Sequence, residues 1–312
     1  MLSTETRGVF PISPTPFLPD GAIDFASIAR LCRFYKNVGV AGITILGLLG
    51  EATKLDCDET DAVIREFVQH SGGLEIIVGA SSPGFASMRR TALNAMAAGA
   101  GGVQIAPPSH LRSDAQIIEY FDCVARTLGS GVPFVIQDYP LVHQVVFTPN
   151  VLREIVNRNE SCVAIKNEDW PGMDKLRTLN QFKREGSMRN IPIFGGNGGL
   201  SLDCEYAAGA SGAMTGYPFP EFLVEGLKLV ESGKRSEFQD LYDAHLPYLR
   251  YEGQPKIGIA IRKYVLCKRG LIAHAAQREP VAALSAGTKD DVDFLLGRLI
   301  RKTGLQLEVS SF

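Results

Sequence analysis

Cys162-Val163-Ala164-Ile165-Lys166-Asn167-Glu168 is an apolar stretch with strand propensity that ends on a lysine and two further polar residues. A lysine at the end of a buried strand is unusual, because taking an ammonium group out of water carries a large desolvation penalty. Its side chain either reaches solvent or is kept as a reactive amine, and this stretch alone supports both interpretations equally. Burial favours the neutral amine, which can attack a carbonyl carbon and form a Schiff base.

Strand and helix patterns alternate on both sides of this stretch. Strands are predicted at residues 8–13, 43–46, 75–80, 102–106, 133–137, 162–166, 191–194 and 210–216. Helices are predicted between them at 25–38, 58–70, 87–98, 114–127, 150–158, 174–185 and 202–208, with Asp24 as the N-cap of the first. Strands that recur at intervals of about 20 to 35 residues, each followed by a helix, are typical of a closed parallel barrel. The sequence therefore predicts an α/β fold, a (β/α)8 TIM barrel.

After residue 220 the pattern is helical only. Four helices are predicted at 221–230, 236–249, 255–267 and 290–302, which is more than a barrel needs. We therefore predict two parts, a barrel over residues 1–220 and a C-terminal helical extension over residues 221–312. The extension is expected to pack on the flank of the barrel or to form an oligomer contact.

The composition indicates an enzyme-sized globular chain. Its 312 residues, 45% hydrophobic and 21% charged, suffice for one large α/β domain. The net charge of -2 comes from 32 basic and 34 acidic residues spread along the chain, which argues against nucleic acid or a membrane surface and favours a small-molecule partner. Six cysteines without C-x-x-C pairs are typical of reduced thiols, and no targeting or membrane segment is recognised, so a cytoplasmic protein is expected.

In such barrels the reacting groups gather at the C-terminal ends of the strands. Lys166 ends the sixth predicted strand, while Gln137, Asp138 and Tyr139 lie at the end of the fifth. This placement favours the reactive-amine interpretation of Lys166. Tyr139 and Asp138 are candidate proton carriers for the imine route, although a tyrosine at this place can also pack over the rim. Met214, near the end of the eighth strand, is a candidate substrate contact.

Two glycine-rich turns also follow predicted strands. Gly47-Leu48-Leu49-Gly50-Glu51 can bring backbone N–H groups close to a carboxylate, or can be an ordinary strand-to-helix turn. Gly195-Gly196-Asn197-Gly198-Gly199 can hold a phosphate or carboxylate at the barrel mouth, or can be a flexible turn. Glu168, two residues beyond the lysine, is expected on the opposite side of the strand or in the loop. The chain shows no metal-ligand spacing, so no metal is expected.

In this order and spacing, the motifs resemble the dihydrodipicolinate synthase and N-acetylneuraminate lyase family of Schiff-base aldolases over nearly the whole chain. The resemblance rests on Thr15-Pro16-Phe17, Asp20-Gly21-Ala22-Ile23-Asp24, the turn at residues 47–51, Gly79-Ala80, Ala164-Ile165-Lys166 and the helical tail. It implies a (β/α)8 barrel, pyruvate or another 2-oxo acid bound as an imine on Lys166, no metal or organic cofactor, and a homotetramer or dimer. It also implies that Gly47, Leu48 and Leu49 hold the carboxylate of the 2-oxo acid.

The chain departs from the family pattern at several places. Leu48 and Leu49 stand where the family has two hydroxyl residues, so only backbone N–H groups remain for the carboxylate. Gln137 stands at the place of the proton-relay tyrosine, and an amide cannot act as an acid near neutral pH. Tyr139 can replace that tyrosine only if the loop rearranges. Val142 replaces the arginine that synthase members use for the carboxylate of the acceptor, and the aromatic residue after the fourth strand is also missing.

We therefore predict a lyase that forms a Schiff base with pyruvate or a related 2-oxo acid and is most like dihydrodipicolinate synthase. The candidate catalytic residues are Lys166, Tyr139 and Gln137. The candidate substrate contacts are Gly47, Leu48, Leu49, Asp138 and Met214. Three alternatives remain open: an aldolase or dehydratase for a more apolar 2-oxo acid, a fold member that binds a 2-oxo acid without turning it over, and a phosphate-handling barrel that uses residues 195–199.

Overall fold

Eight parallel strands form one sheet in the computed structural model, which describes residues 1–170 and 172–307. The strands are β1 (Gly8–Val9), β2 (Gly42–Ile45), β3 (Glu75–Gly79), β4 (Gly102–Ile105), β5 (Phe134–Asp138), β6 (Cys162–Asn167), β7 (Ile193–Gly195) and β8 (Gly212–Ala213). From β2 to β8 each strand pairs with its sequence neighbours, and β1 pairs with β8. This order is that of a parallel barrel.

The sheet closes where the chain after β1 meets β2. Ser13 N donates to Thr44 O at 2.8 Å and Thr44 N donates to Pro11 O at 2.9 Å. These bonds confirm the predicted (β/α)8 barrel. The regular part of β1 is shorter than the predicted strand 8–13, because Pro11 has no N–H to donate. Phe10 N and Ile12 N nevertheless still bond to the carbonyls of Ala213 and Thr215.

Helices cover the outside of the barrel and its C-terminal end. They are α1 (Phe25–Val38), α2 (Cys57–His70), α3 (Phe85–Ala98), α4 (Asp114–Leu128), α5 (Pro140–His143), α6 (Pro149–Arg158), α7 (Met173–Arg184), α8 (Leu202–Ala207), α9 (Pro220–Glu231), α10 (Arg235–Glu252), α11 (Gly258–Lys268) and α12 (Ala286–Thr303). Asp24 caps α1 as predicted, since its side chain accepts from Ser27 N at 3.1 Å. The short helix α5 has no counterpart among the predicted helices.

The barrel interior holds a small apolar cluster below the C-terminal ends of the strands. Its members point inward from alternate strand positions and include Phe10, Ile77, Val135, Ala164, Phe194 and Met214. Lys166 follows Ala164 by two residues and therefore points inward as well, one layer higher. The cluster fills the barrel from below, so the lysine faces the open upper end.

The C-terminal helices are tightly joined to the barrel. Helix α9 packs on β1 and α1 and so occupies the place of the eighth barrel helix. Arg269, which follows α11, is 1% exposed and donates to the carboxylate of Glu221 on α9. The division at residue 220 stays a prediction, but this packing favours a boundary after α9, with α10–α12 as the extension. The predicted dimer or tetramer and the cytoplasmic location also stay predictions.

Candidate functional site

A cavity of about 640 Å³ opens at the C-terminal end of the barrel. Two parts of the chain line it: the strand ends with their loops, and the segment that joins α10 to α11 together with α11 itself. Of the predicted site residues, the cavity is lined by Lys166, Gln137, Tyr139, Gly47, Leu48 and Leu49. Cavities at this end of a barrel are where substrates bind in such folds.

Lys166 lies in this cavity and is 2% exposed. Its Nζ is 2.8 Å from Oε2 of Glu168, which also lines the cavity and is itself buried. Glu168 lies in the loop directly after β6, one of the two places expected for it, but its side chain turns toward Lys166 and not to the opposite side of the strand. The amine therefore has a carboxylate in contact that can accept its proton.

Three donors hold the Glu168 carboxylate in place. Oε2 accepts from Gln137 Nε2 at 2.7 Å in addition to the lysine, and Oε1 accepts from Asn197 N at 3.2 Å. Gln137 Oε1 in turn accepts from Gln104 Nε2 at 2.8 Å. Gln137 thus orients the carboxylate, while Glu168 carries the ionisable group. Gln137 was predicted as a site residue, whereas its partners Gln104 and Glu168 were not.

Tyr139 lines the cavity on the same face of the strand end as Gln137. Burial raises the pKa of its phenol, and the Glu168 charge raises it further, whereas Arg262 lowers it. Within the described residues its hydroxyl makes no hydrogen bond, so it is present in the site without a fixed proton partner. A raised pKa makes the phenol a weak acid near neutral pH.

The turn after β2 presents backbone donors to the cavity. Residues 48–50 form one 3-10 turn, and the residues on both sides of the loop, Leu46 and Glu51, have positive φ angles of 55° and 51°. Such left-handed conformations are strained for residues with a side chain and are concentrated at functional sites. No acceptor within residues 1–170 and 172–307 faces the N–H groups of Leu48 and Leu49. They are therefore available for a carboxylate.

Asp138 and Met214 do not line the cavity, contrary to expectation. Asp138 points outward from β5, away from its neighbour Gln137, and its Oδ2 is 2.7 Å from Nζ of Lys175 on α7. Burial raises the pKa of Asp138 to about 7, although Lys175 opposes the shift. Met214 is 0% exposed inside the barrel, below the cavity, and Thr215 lines the cavity instead.

The glycine-rich loop after β7 is adapted to Glu168. Asn197 N donates to that carboxylate, and Gly199 N and Leu200 N donate to carbonyls of the loop itself. A Cβ at Gly196 would stand 2.3 Å from Cγ of Glu168, so only glycine fits there. With three of its backbone donors engaged and the Glu168 carboxylate beneath it, the loop is a poor phosphate site, which disfavours the phosphate-handling alternative.

The C-terminal helices contribute ionisable groups that the sequence analysis did not select. Glu252 ends α10, Arg262 lies on α11, and both line the cavity. Arg262 Nε is 3.1 Å from Glu252 Oε1, and Glu252 is 1% exposed. Burial raises the pKa of Glu252 to about 7, although Arg262 opposes the shift. No sequence pattern near residue 262 indicates that it lies beside the end of β6, which is more than ninety residues earlier.

The structure also bears on metal binding and on membrane-spanning helices. Among residues 1–170 and 172–307, no three His, Cys, Asp or Glu side chains are arranged to hold a metal ion. Within the same residues, every helix is too short or too polar to cross a lipid bilayer.

Comparison with known proteins assigns the family. Residues 5–298 match the model of the dihydrodipicolinate synthetase family, which is more than nine-tenths of the chain. The chain belongs to the dihydrodipicolinate synthetase family. It is therefore a lyase of the dihydrodipicolinate synthase type, as predicted, and the comparisons leave its substrate open.

Relatives within the family carry different activities. The crystal structure of dihydrodipicolinate synthase from Rhodopseudomonas palustris is 52% identical, with a TM-score of 0.94 over 95% of this chain and 99% of that one. L-2-keto-3-deoxyarabonate dehydratase of Azospirillum brasilense is 29% identical over 96% of this chain and 97% of its own length. YagE of Escherichia coli K12, solved in complex with pyruvate, is 21% identical with a TM-score of 0.85 over 95% and 99% of the two chains, and shows the shared fold.

Proposed function

We propose that this protein is a lyase that binds a 2-oxo acid covalently, as a Schiff base on Lys166. One observation carries the proposal: the buried amine of Lys166 lies in the cavity at the barrel mouth, 2.8 Å from a carboxylate that can take its proton. A structural lysine would instead reach bulk water or pair with a group outside any cavity.

The carboxylate of the 2-oxo acid would bind at the turn after β2. The free N–H groups of Leu48 and Leu49 supply donors there. The Thr215 hydroxyl is buried, lines the cavity and has no partner within the described residues, so it can add a further donor. This hydroxyl offsets part of the loss of the two hydroxyl side chains from the turn.

Imine formation requires proton transfers that Glu168 is placed to carry out. The carboxylate accepts a proton from the Lys166 ammonium, and the neutral amine then attacks the ketone carbon. A second proton passes from the attached nitrogen to the former ketone oxygen, and the proton held by Glu168 then goes to the resulting hydroxyl, which leaves as water as the C=N bond forms. Gln137 cannot exchange protons near neutral pH, so its role is to hold Glu168 by the hydrogen bond of 2.7 Å.

Dehydration of a 2-oxo-3-deoxy acid is the second candidate reaction, as opposed to aldol bond formation or cleavage. Gln137 stands where the family has a relay tyrosine, and it donates to the Glu168 carboxylate. This favours dehydration, since Glu168 can remove a proton from the carbon next to the imine and deliver it to a departing hydroxyl. The similarity to a keto-deoxy sugar acid dehydratase supports the same reaction. Products separate the candidates: dehydration releases water and leaves the carbon chain intact, whereas aldol cleavage releases pyruvate.

Borohydride trapping tests the proposal. Incubation with pyruvate and borohydride is expected to leave a reduced adduct on Lys166, because borohydride reduces the imine to a stable amine. Peptide mapping should find no adduct on the other buried lysines, Lys175 and Lys263, and the variant Lys166→Ala should give none. A panel of 2-oxo acids without any adduct would refute the Schiff-base proposal. An adduct without turnover of any aldol or dehydration substrate would instead support the binding-protein alternative.

A further inference from the structure

Arg262 has unused hydrogen-bonding capacity at the cavity wall. A guanidinium has five N–H donors, and within the described residues only Nε has an acceptor, Glu252 Oε1 at 3.1 Å. Both Nη groups therefore remain free, although the side chain is only 14% exposed. Because Arg262 lines the cavity, these Nη groups can pair with an anionic group of a ligand that enters it.

The glycine-rich loop after β7 is shaped around this guanidinium. A Cβ at Gly198 would stand 3.0 Å from Nη2 of Arg262, so the loop backbone and the arginine are in close contact. Gly198 also has a φ of +69°, which a residue with a side chain adopts only with strain. Asn197, next to it, binds Glu168 through its N–H. The loop thus contacts the proton acceptor on one side and the guanidinium on the other.

The ionisable groups that line the cavity are unequal in charge. Three are cationic, Lys166, Lys256 and Arg262, and two are carboxylates, Glu168 and Glu252. Lys256, in the segment between α10 and α11, has no carboxylate partner within residues 1–170 and 172–307. The carboxylate of a 2-oxo acid balances this excess of one positive charge. When Glu252 is protonated, the cavity has a second positive charge that another anion can balance.

We propose that Arg262, supported by Lys256, forms a second subsite that binds a carboxylate at the far end of the substrate. The preferred substrates are then 2-oxo dicarboxylic acids: one carboxylate binds at the turn after β2, the ketone meets Lys166, and the second carboxylate pairs with the guanidinium. The family arginine after the fifth strand is absent at Val142, and Arg262 supplies the same charge from the C-terminal extension. This proposal rests on the proposed function of Lys166.

The test compares matched acids by adduct formation. Pyruvate serves as the reference, and 2-oxoglutarate, 2-oxoadipate and 2-oxopimelate are each compared with the monocarboxylic 2-oxo acid of equal carbon number. For at least one chain length, the wild-type protein should be half-saturated by the dicarboxylic acid at a concentration roughly ten- to a hundredfold lower, as expected for a charge-assisted hydrogen bond. In Arg262→Gln this preference should disappear, while trapping by pyruvate stays detectable.

Two further variants guard against a trivial loss of structure. Arg262→Lys keeps a cation beside Glu252 and should retain the fold but only part of the preference, because an ammonium cannot form the planar two-point contact. Arg298→Gln removes one charge from a solvent-facing position of α12 and should keep the full preference. Equal half-saturation for every pair of acids, or a preference that persists in Arg262→Gln, would overturn the subsite. A complete absence of adducts in the wild-type protein would overturn the proposed function itself.

Discussion

The pair of Lys166 and Glu168 combines a reactive group with a stability cost. Both side chains are nearly excluded from water, and the bond of 2.8 Å between them compensates for the loss of their hydration. Removing one partner of a buried ion pair typically costs about 3–5 kcal/mol, because the other charge is left uncompensated. Glutamine at position 168 keeps the shape and a hydrogen-bond acceptor for the lysine, so it should cost less than removal of the side chain, although the charge of the lysine loses its partner.

Glu168→Gln should therefore fold and fail in catalysis. We expect turnover of any substrate found for Lys166 to fall by about 10²- to 10⁴-fold, the usual worth of general acid–base help, because the amide cannot carry protons. Steady-state kinetics measure this loss. Borohydride added at a series of times measures how fast the imine forms, which should be slower in the variant.

Asp169→Asn is the matched control for Glu168→Gln. Asp169 follows Glu168 in sequence but pairs with Lys175 at 2.6 Å, and it does not line the cavity. Its substitution should leave turnover within a few-fold of wild type. Equal activity losses in the two variants would argue that Glu168 acts only through the stability of the loop.

At this scale, strand alternation determines how much of the site can be predicted from sequence. Lys166 could be found because a charged residue ends an apolar strand, and the same period of two places Glu168 on its face. Alternation likewise sends Asp138 away from Gln137, so its exclusion from the cavity was predictable in principle. Arg262 was not predictable, because its contact with Gly198 depends on how the extension packs, which no local pattern records.

Among the elements, α11 connects the extension to both ends of the substrate cavity. Arg262 faces the cavity, and the next residue, Lys263, is 0% exposed and pairs with Glu51, which ends the turn after β2. Burial lowers the pKa of Lys263 to about 8, although Glu51 opposes the shift. Lys263 Nζ also donates to Ala276 O at 2.9 Å. The position of the turn after β2 therefore depends on a helix that is remote in sequence.

The junction of β7 and α8 contains a buried acid that should make stability depend on pH. Burial raises the pKa of Glu205 on α8 to about 8 from 4.5; the nearby charges of Glu168 and Asp203 add to the shift, and a hydrogen bond with the Gly196 backbone opposes it. The folded state thus holds a proton that the unfolded chain releases near pH 4.5. The stability from this group is complete below that pH and is lost as the pH rises through about 8.

Glu205→Gln removes this dependence. The thermal midpoint of the variant minus that of the wild type, both measured by circular dichroism, should increase as the pH is raised from 5 to 9. Asp174→Asn, at a solvent-exposed position of α7, should show no such trend. A difference between Glu205→Gln and wild type that stays constant over this range would show that Glu205 does not titrate in the folded protein.

For the whole molecule, the packing of the extension predicts that the barrel does not fold without it. Tyr217, Phe219 and Phe222 contact His245 and Tyr248 of α10 in one aromatic cluster. A chain that ends at residue 232 would expose these rings and leave the carboxylate of Glu221 without its buried arginine.

We expect the chain that ends at residue 232 to be insoluble or to bind a hydrophobic dye, without a cooperative thermal transition. A chain that ends at residue 307 serves as the control and should unfold cooperatively. Calorimetry and dye fluorescence measure both. A soluble, cooperatively folding short chain would support the division into a barrel and an independent extension that the sequence suggested.

The fold itself was largely predictable, and the reason is again periodicity. The eight strand starts recur along the chain because each unit must bury one strand and one helix, and this repetition survives the loss of individual motif residues. The place of α9 was harder to predict, because a helix that closes a barrel and a helix that begins an extension have the same amphipathic pattern.

Two stretches that line the cavity have separate roles in the proposed function: β6 and its loop carry the amine and its carboxylate partner, and α11 carries the guanidinium. Because these stretches are about a hundred residues apart, mutation can alter one while the other is preserved. A lineage can therefore change which compounds it accepts by varying its tail, and keep the same reaction.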